Sequence, residues 1–216
     1  MNKVRLEALS DGVFSIVMTL LVIELKVPHL EGDSIEDPLM LWQKFYNLWP
    51  LIRSYFISFA ILAMYWTSHH AFFHYYVKEL DRRLSYLNLL FLMFVSLVPF
   101  SAHLLGEYPK NTAAIFNYGC NIILIGLSLY AMLRLIIRNK HMRHEDLSNK
   151  LIAQGTIRIL LPPIFAFIGI FYSYYNISVS YFLFMFPIVF NIIPGTLDVP
   201  ERFIFKMIKK RKAGSL

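Results

Sequence analysis

The chain has 216 residues, of which 57% are hydrophobic and only 16% charged, and its mean hydropathy is +0.52. This composition excludes an ordinary soluble domain of the same length and predicts a chain whose solvent is mostly lipid. The net charge of +7 comes from basic residues beside apolar runs, with no nucleic-acid-binding motif, and the single cysteine, Cys120, argues against a disulfide framework or a thiol-bound metal.

The first apolar run, 12–27, differs from the later ones. It follows Ser10 and Asp11 directly, and its polar members are Ser15, Thr19, Glu24 and Lys26. A lone span needs about 20 mostly apolar residues, so we expect this short, polar run to be surrounded by protein and water rather than by lipid. A cleavable signal peptide is the alternative, but the run lacks a small-residue cleavage site and acidic residues precede it.

Five later runs come close to the length of a membrane-spanning helix: 48–68, 84–105, 113–133, 159–175 and 179–194. Together with the first run they predict an all-α, polytopic membrane protein with six transmembrane helices over residues 1–200. The remaining segment, 201–216, is basic, and the alternation of apolar and basic residues there predicts an interfacial helix on the anionic inner leaflet.

The distribution of basic residues predicts that both ends of the chain lie in the cytoplasm. With the N-terminus inside, the cytoplasmic segments hold most of the 21 lysines and arginines, and the outer segments keep only Lys26, Lys44, Arg53 and Lys110. This asymmetry follows the positive-inside rule for an even number of spans. Aromatic residues at the outer ends of the second and fifth spans indicate an interfacial belt: Trp42, Tyr46, Trp49, Tyr172, Tyr174 and Tyr175. We therefore expect a multi-pass protein of the plasma membrane.

Helical geometry places one apolar stripe on the first run. At about 100° per residue, Leu9, Leu20 and Ile23 fall within about 40° of Ile16, with Thr19 about 60° to one side. Glu7, Ser10 and Asp11 fall on the opposite side of the helix, near its cytoplasmic end. Packing against another helix is the simpler interpretation of such a stripe, and lining a pore is the alternative.

Asp11 should have partners inside the protein, because a carboxylate at membrane depth costs roughly 2.5–3.5 kcal/mol on insertion scales. The candidates are His69 and His70 at the inner end of the second span, Asn88 in the third span, and Arg82 or Arg83.

Two other functions fit parts of the sequence. His70 and His74 have the i, i+4 spacing of metal ligands on a helix, but the remaining histidines are scattered, so we predict no enzyme, no catalytic residue, no metal site and no cofactor. Polar residues and prolines within the spans, such as Asn121 and Pro99, could form broken helices around a midplane site, so a secondary transporter or a proton or cation leak pathway stays open.

Three motifs resemble those of the transmembrane protein 175 family of potassium channels. The segment from Arg5 to Ile16, R-L-E-A-L-S-D-G-V-F-S-I, is similar to the family signature R-x-x-x-F-S-D, with Leu9 where the family usually has Phe. The motif Y-W-x-x-H-H-x-x-F, which contains Trp66, His69 and His70, and the third-span run 94–108 look like the same family. The similarity covers the first three spans well.

The resemblance implies an assembly and a mechanism. Prokaryotic members form homotetramers of six-helix chains, in which the first helix of each subunit lines a central pore. The constriction consists of branched apolar residues at fixed positions after the motif Asp, which here correspond to Ile16, Leu20 and Ile23, with Thr19 beside them. The resemblance therefore implies passive potassium conduction, with this chain's own copies and the bilayer as partners, and a motif and structural network formed by Arg5, Ser10, Asp11, Trp66, His69, His70 and Asn88.

Overall fold

The computed structural model describes residues 2–27, 37–144 and 147–192. These residues form eight α-helices: α1 (Lys3–Ile23), α2 (Pro38–Asn47), α3 (Trp49–Tyr75), α4 (Arg82–Ser96), α5 (Val98–Glu107), α6 (Thr112–Arg138), α7 (Asn149–Tyr172) and α8 (Ile177–Ile192). The predicted interfacial helix in 201–216 and the end of the sixth apolar run lie outside the described residues.

Four segments of the described chain are long and apolar enough to cross a membrane: α1, α4 together with α5, α6, and α7. The pair α2 and α3 counts as a fifth if its 47° bend is accepted within one span, and α8 is apolar but shorter. The predicted all-α membrane class is confirmed, while the count of six spans stays a prediction.

Two helices begin earlier than the hydropathy pattern predicts. α1 begins at Lys3, where the Asn2 side chain accepts a hydrogen bond from the Val4 amide, and it is 21 residues long. The helix is therefore longer than the apolar run that predicted it, and it is long and apolar enough to cross a membrane. α7 begins at Asn149, after the capping residue Ser148, so Arg158, which directly precedes the apolar run 159–175, lies well inside a helix. Capping residues, and not the first apolar residue, define where a helix starts.

The third predicted span, 84–105, is broken rather than continuous. α4 ends at Ser96 and α5 begins at Val98, with Pro99 in its first turn. Proline has no amide hydrogen for the carbonyl four residues earlier, so the hydrogen-bond ladder is interrupted here. The side-chain amide of Asn121 on α6 donates a hydrogen bond of 3.0 Å to the backbone carbonyl of Phe94, which lies beside the break.

The helices pack closely where small residues allow it. At Gly126 on α6, a Cβ would lie only 2.7 Å from Cγ of Pro163 on α7, and at Gly119 it would lie 2.6 Å from Ile170. Glycine at both positions therefore lets α6 and α7 approach each other, as is common in membrane helix pairs. α1 packs on the other side of the bundle, against α3, α4 and α5.

Candidate functional site

α1 has one face packed into the subunit and one face left open. Phe14, Val17 and Leu21 are buried against the neighbouring helices. On the other side Ile16 is 60% exposed, Leu20 41% and Ile23 66%. The structure thus turns the stripe identified from helical periodicity away from its own subunit, along most of the length of α1.

One small residue and two hydroxyl side chains lie beside the apolar side chains on this open face. Gly12, Ser15 and Thr19 are all exposed. The Thr19 hydroxyl donates to the carbonyl oxygens of Ile16, at 2.8 Å, and Ser15, at 3.1 Å. Because its hydrogen is used within the helix, the oxygen of Thr19 presents lone pairs, which suit a cation better than an anion.

Asp11 has a different partner from those expected. Its Oδ1 accepts a hydrogen bond of 2.9 Å from the indole nitrogen of Trp66 on α3, and His70 stacks beside that indole. Asp11 itself is exposed in the single subunit. The expectation of a histidine, asparagine or arginine partner was incomplete because an indole N–H is also a strong donor to a carboxylate.

The predicted residues Ser10, His69 and Asn88 come together in one buried network. The Asn88 amide nitrogen donates to Oγ of Ser10 at 3.1 Å, and its carbonyl oxygen lies 2.7 Å from Nε2 of His69. The Ser10 hydroxyl in turn donates to the Leu6 carbonyl at 2.9 Å. Because the Asn88 oxygen can only accept, His69 must carry its proton on Nε2. The hydrogen bonds therefore form a continuous chain that runs from His69 on α3 through Asn88 on α4 to Ser10 on α1.

Aromatic packing surrounds this network. The His69 ring stacks on Phe91 with the ring centroids 5.2 Å apart, and Phe14 of α1 lies 6.2 Å from the same imidazole. Ser10, His69 and Asn88 are almost fully buried. Hydrogen bonds and ring contacts therefore hold the back of α1 against α3 and α4, and this fixes which face of α1 is open. Arg5, the remaining member of the predicted set, is exposed.

The C-terminal end of α1 carries a contact that the sequence did not predict. Oε2 of Glu24, the residue that follows α1, lies 3.1 Å from Nδ1 of His103 on α5. Glu24 stood out in the sequence as a polar residue within an apolar run, but nothing in the spacing of Glu24 and His103 indicated a pair. The contact joins the end of α1 to α5.

Three asparagines within the spans have separate partners, whereas Oδ1 of a fourth, Asn117 on α6, is buried with no hydrogen-bond partner among the described residues. Asn88 belongs to the network behind α1, Asn121 bonds the backbone at the α4–α5 break, and Asn191 donates to the Pro187 carbonyl of its own helix at 2.8 Å. Within the described ranges, no three His, Cys, Asp or Glu side chains are close enough together to hold a metal ion.

Known proteins with sequences and structures similar to this chain identify its family. A family model described as the endosomal/lysosomal potassium channel TMEM175 matches residues 5–99, which include nearly all of α1, the Trp66 motif, the whole of α4 and the break after it. A potassium channel of Streptomyces collinus is 42% identical over 110 residues, which are 51% of this chain and 50% of that protein. The matched segment therefore spans about half the length of that relative.

Two further matches extend over most of the chain. A potassium channel of a Chryseobacterium species is 33% identical over 189 residues, covering 84% of this chain and 90% of that protein. The crystal structure of a lysosomal potassium-selective channel TMEM175 homolog from Chamaesiphon minutus superposes with a TM-score of 0.74 at 28% identity, and the match covers 88% of this chain and 95% of that one. The extent and the identity of these matches show that the chain belongs to the TMEM175 family of ion channels, and not to a family of enzymes.

Proposed function

We propose that this protein is a potassium-selective channel in which α1 of each subunit lines a central pore. The open face of α1 carries the proposal, because Ile16, Leu20 and Ile23 are exposed while the opposite face is fixed to α3, α4 and α5. A bilayer could also cover an apolar stripe. Exposed Gly12, Ser15 and Thr19 beside the stripe favour a partly hydrated path instead.

One α1 cannot enclose a pore, so the proposal requires several copies of the chain. We propose a homotetramer, the number that resemblance to prokaryotic members of the family implies. Four copies of the stripe would form stacked rings, with Ile16 as the principal constriction and Leu20 and Ile23 toward the outer end. Native mass spectrometry of the solubilised protein tests the number directly, and a monomer or dimer as the largest species would contradict it.

Rings of branched apolar side chains would select ions by partial dehydration. A narrow apolar collar obstructs hydrated ions and closes when water leaves it. Potassium holds its hydration shell less strongly than sodium, so potassium loses less on entering such a collar. The Thr19 oxygen, one turn from Ile16, could replace part of the lost water. Selectivity of this kind should be weaker than that of a complete cage of carbonyl oxygens.

We also propose that this channel lies in the plasma membrane with both ends in the cytoplasm. Nζ of Lys3 bonds the Val77 carbonyl at 2.7 Å, so the start of α1 and the end of α3 lie together. The hydroxyl of Tyr76 bonds the Leu151 carbonyl at 2.7 Å, which adds the start of α7 to the same side. Basic residues gather at this side, as expected for the cytoplasmic face.

Reconstitution into liposomes tests the conduction proposal. Protein-containing liposomes with a potassium gradient should develop a potassium flux that empty liposomes lack, and planar-bilayer recordings should show discrete single-channel steps. Replacement of potassium by sodium should reduce the current. A saturable flux without unitary steps would instead indicate alternating access and favour the transporter.

A further inference from the structure

A cleft lies between α3, α7 and α8, at the same end of the bundle as the start of α1. No residue of α1 lines it, so it is separate from the open face of α1. Its volume is about 180 Å³. The last turns of α3 and the first turns of α7 form its walls, and Asn191 of α8 lines one end. The Tyr76–Leu151 hydrogen bond joins the two walls at the end nearest the basic side of the bundle.

Arg158 gives this cleft its charge. It lies in α7, a helix long and apolar enough to cross a membrane, and its side chain is exposed. No carboxylate lines the cleft, and Arg158 forms no ion pair within 4.0 Å with the described residues. A guanidinium inside a membrane-spanning helix normally pairs with an anion or reaches the interface, so an unpaired Arg158 points to a ligand.

The other lining groups limit what that ligand can be. The hydroxyls of Thr67 and Ser68 already donate to the Met64 carbonyl, at 2.9 and 2.8 Å. Arg158 and the exposed Tyr75 also line the cleft, and both carry donors that suit a bound anionic group. Phe72 and Ile159 supply apolar wall beside them. Donors next to apolar surface suit a molecule with an anionic head and a hydrocarbon chain.

We propose that this cleft binds the phosphate headgroup of an anionic phospholipid from the cytoplasmic leaflet, with Arg158 pairing the phosphate and an acyl chain following the apolar wall. Basic pockets between transmembrane helices on the cytoplasmic side bind headgroups in this way. The 24 residues of α7 are about 36 Å long, more than the hydrocarbon core of about 30 Å. The first turns of α7 are polar and the apolar run begins at Ile159, directly after Arg158, so the long side chain of Arg158 can reach the headgroup region.

Charge favours a lipid over the chain's own C-terminal segment as the occupant. Residues 193–216 contain six lysines and arginines against Asp198 and Glu201. A segment with this excess of positive charge is repelled by Arg158, whereas the anionic inner leaflet is attracted to it. The proposal rests on the orientation proposed above for this side of the bundle, but it concerns lipid binding alone and does not depend on ion conduction.

Native mass spectrometry of the full chain in detergent tests the proposal, with phosphatidylglycerol and phosphatidylcholine added in parallel. We expect phosphatidylglycerol to bind preferentially, and Arg158→Gln to weaken its binding roughly tenfold, which is about 1.4 kcal/mol. Arg138→Gln is the matched control, because Arg138 is also an exposed arginine at the cytoplasmic end of a helix but does not line the cleft. It should leave binding unchanged, and both variants should unfold at the wild-type temperature.

Three results would overturn the assignment. Equal binding of the two lipids would show that the cleft recognises only hydrocarbon. Equal losses in Arg158→Gln and Arg138→Gln would indicate a general effect of surface charge. Displacement of phosphatidylglycerol by inorganic phosphate at the same concentration would assign the site to a free anion instead of a lipid.

Discussion

Replacing Ile16 by asparagine should increase total ion flux and reduce the preference for potassium. Ile16 lies at the centre of the exposed stripe, and symmetry would change every member of its ring at once. An amide side chain contacts water and hydrated ions, so the collar would no longer dewet or impose the same dehydration on sodium. Each tenfold loss of the potassium-to-sodium permeability ratio means that the difference between the sodium and potassium permeation barriers has fallen by about 1.4 kcal/mol.

The subunit should tolerate this change. Ile16 is 60% exposed, so about two-fifths of its side chain is buried within the subunit. Full burial of such a side chain contributes about 1.5–3 kcal/mol, so the substitution should cost roughly 0.6–1.2 kcal/mol per subunit. The same substitution at Val17, which is only 3% exposed, removes nearly all of that contribution and should impair folding.

Reversal potentials with potassium on one side of a bilayer and sodium on the other measure the effect. A tenfold loss of preference moves this potential toward zero by about 59 mV, the Nernst factor for one charge. Val22→Asn is the matched control, since Val22 is 50% exposed on the same helix but lies about 120° from Ile16. An unchanged potential in Ile16→Asn tetramers, or an equal shift in Val22→Asn, would refute the role given to Ile16.

Two further substitutions test the packing behind and beside the pore face. Asp11→Ala should lower the free energy of unfolding of the assembled protein by about 1 kcal/mol, because the Trp66 indole loses a charged acceptor. Asp11→Asn keeps an acceptor and should cost less. Both variants should retain the preference for potassium, and a change in preference at normal stability would contradict the assignment of faces. Gly126→Ala should destabilise the protein by about 1–3 kcal/mol, because the added Cβ would overlap Pro163. Gly12→Ala is the control: a Cβ there has no neighbour within 4 Å, so this variant should be neutral or stabilising by up to about 1 kcal/mol. Thermal unfolding in detergent measures both variants, and equal effects would argue against the close α6–α7 contact.

The sequence was most informative where periodicity determines a face. The stripe around Ile16 follows from helical spacing alone, since residues on one face of a helix recur at a fixed angle. The buried network of Ser10, His69 and Asn88 was expected from a motif, but the direction of its hydrogen bonds depends on how α1, α3 and α4 cross. No sequence pattern gives such crossings.

Local chemistry explains the errors in helix boundaries. Hydropathy excluded the charged first turns of α1 and α7, although Asn2 and Ser148 are ordinary capping residues. The break before α5 follows from Pro99, which hydropathy does not register. The Asp11–Trp66 bond was not predicted, because the indole N–H of Trp66 can donate to a carboxylate just as the histidine, asparagine and arginine candidates can, and the sequence does not distinguish among them.

Thiol modification at the outer end of α1 tests most directly whether its open face lines the ion path. In a Cys120→Ser background, Ile23→Cys places a thiol on the face that is 66% exposed, and Leu21→Cys places one two residues away where the side chain is 2% exposed. A membrane-impermeant thiol reagent applied from the outer side during single-channel recording should block Ile23→Cys channels in discrete steps and leave Leu21→Cys channels unaffected. Full labelling of Ile23→Cys with no change in current would place the ion path elsewhere.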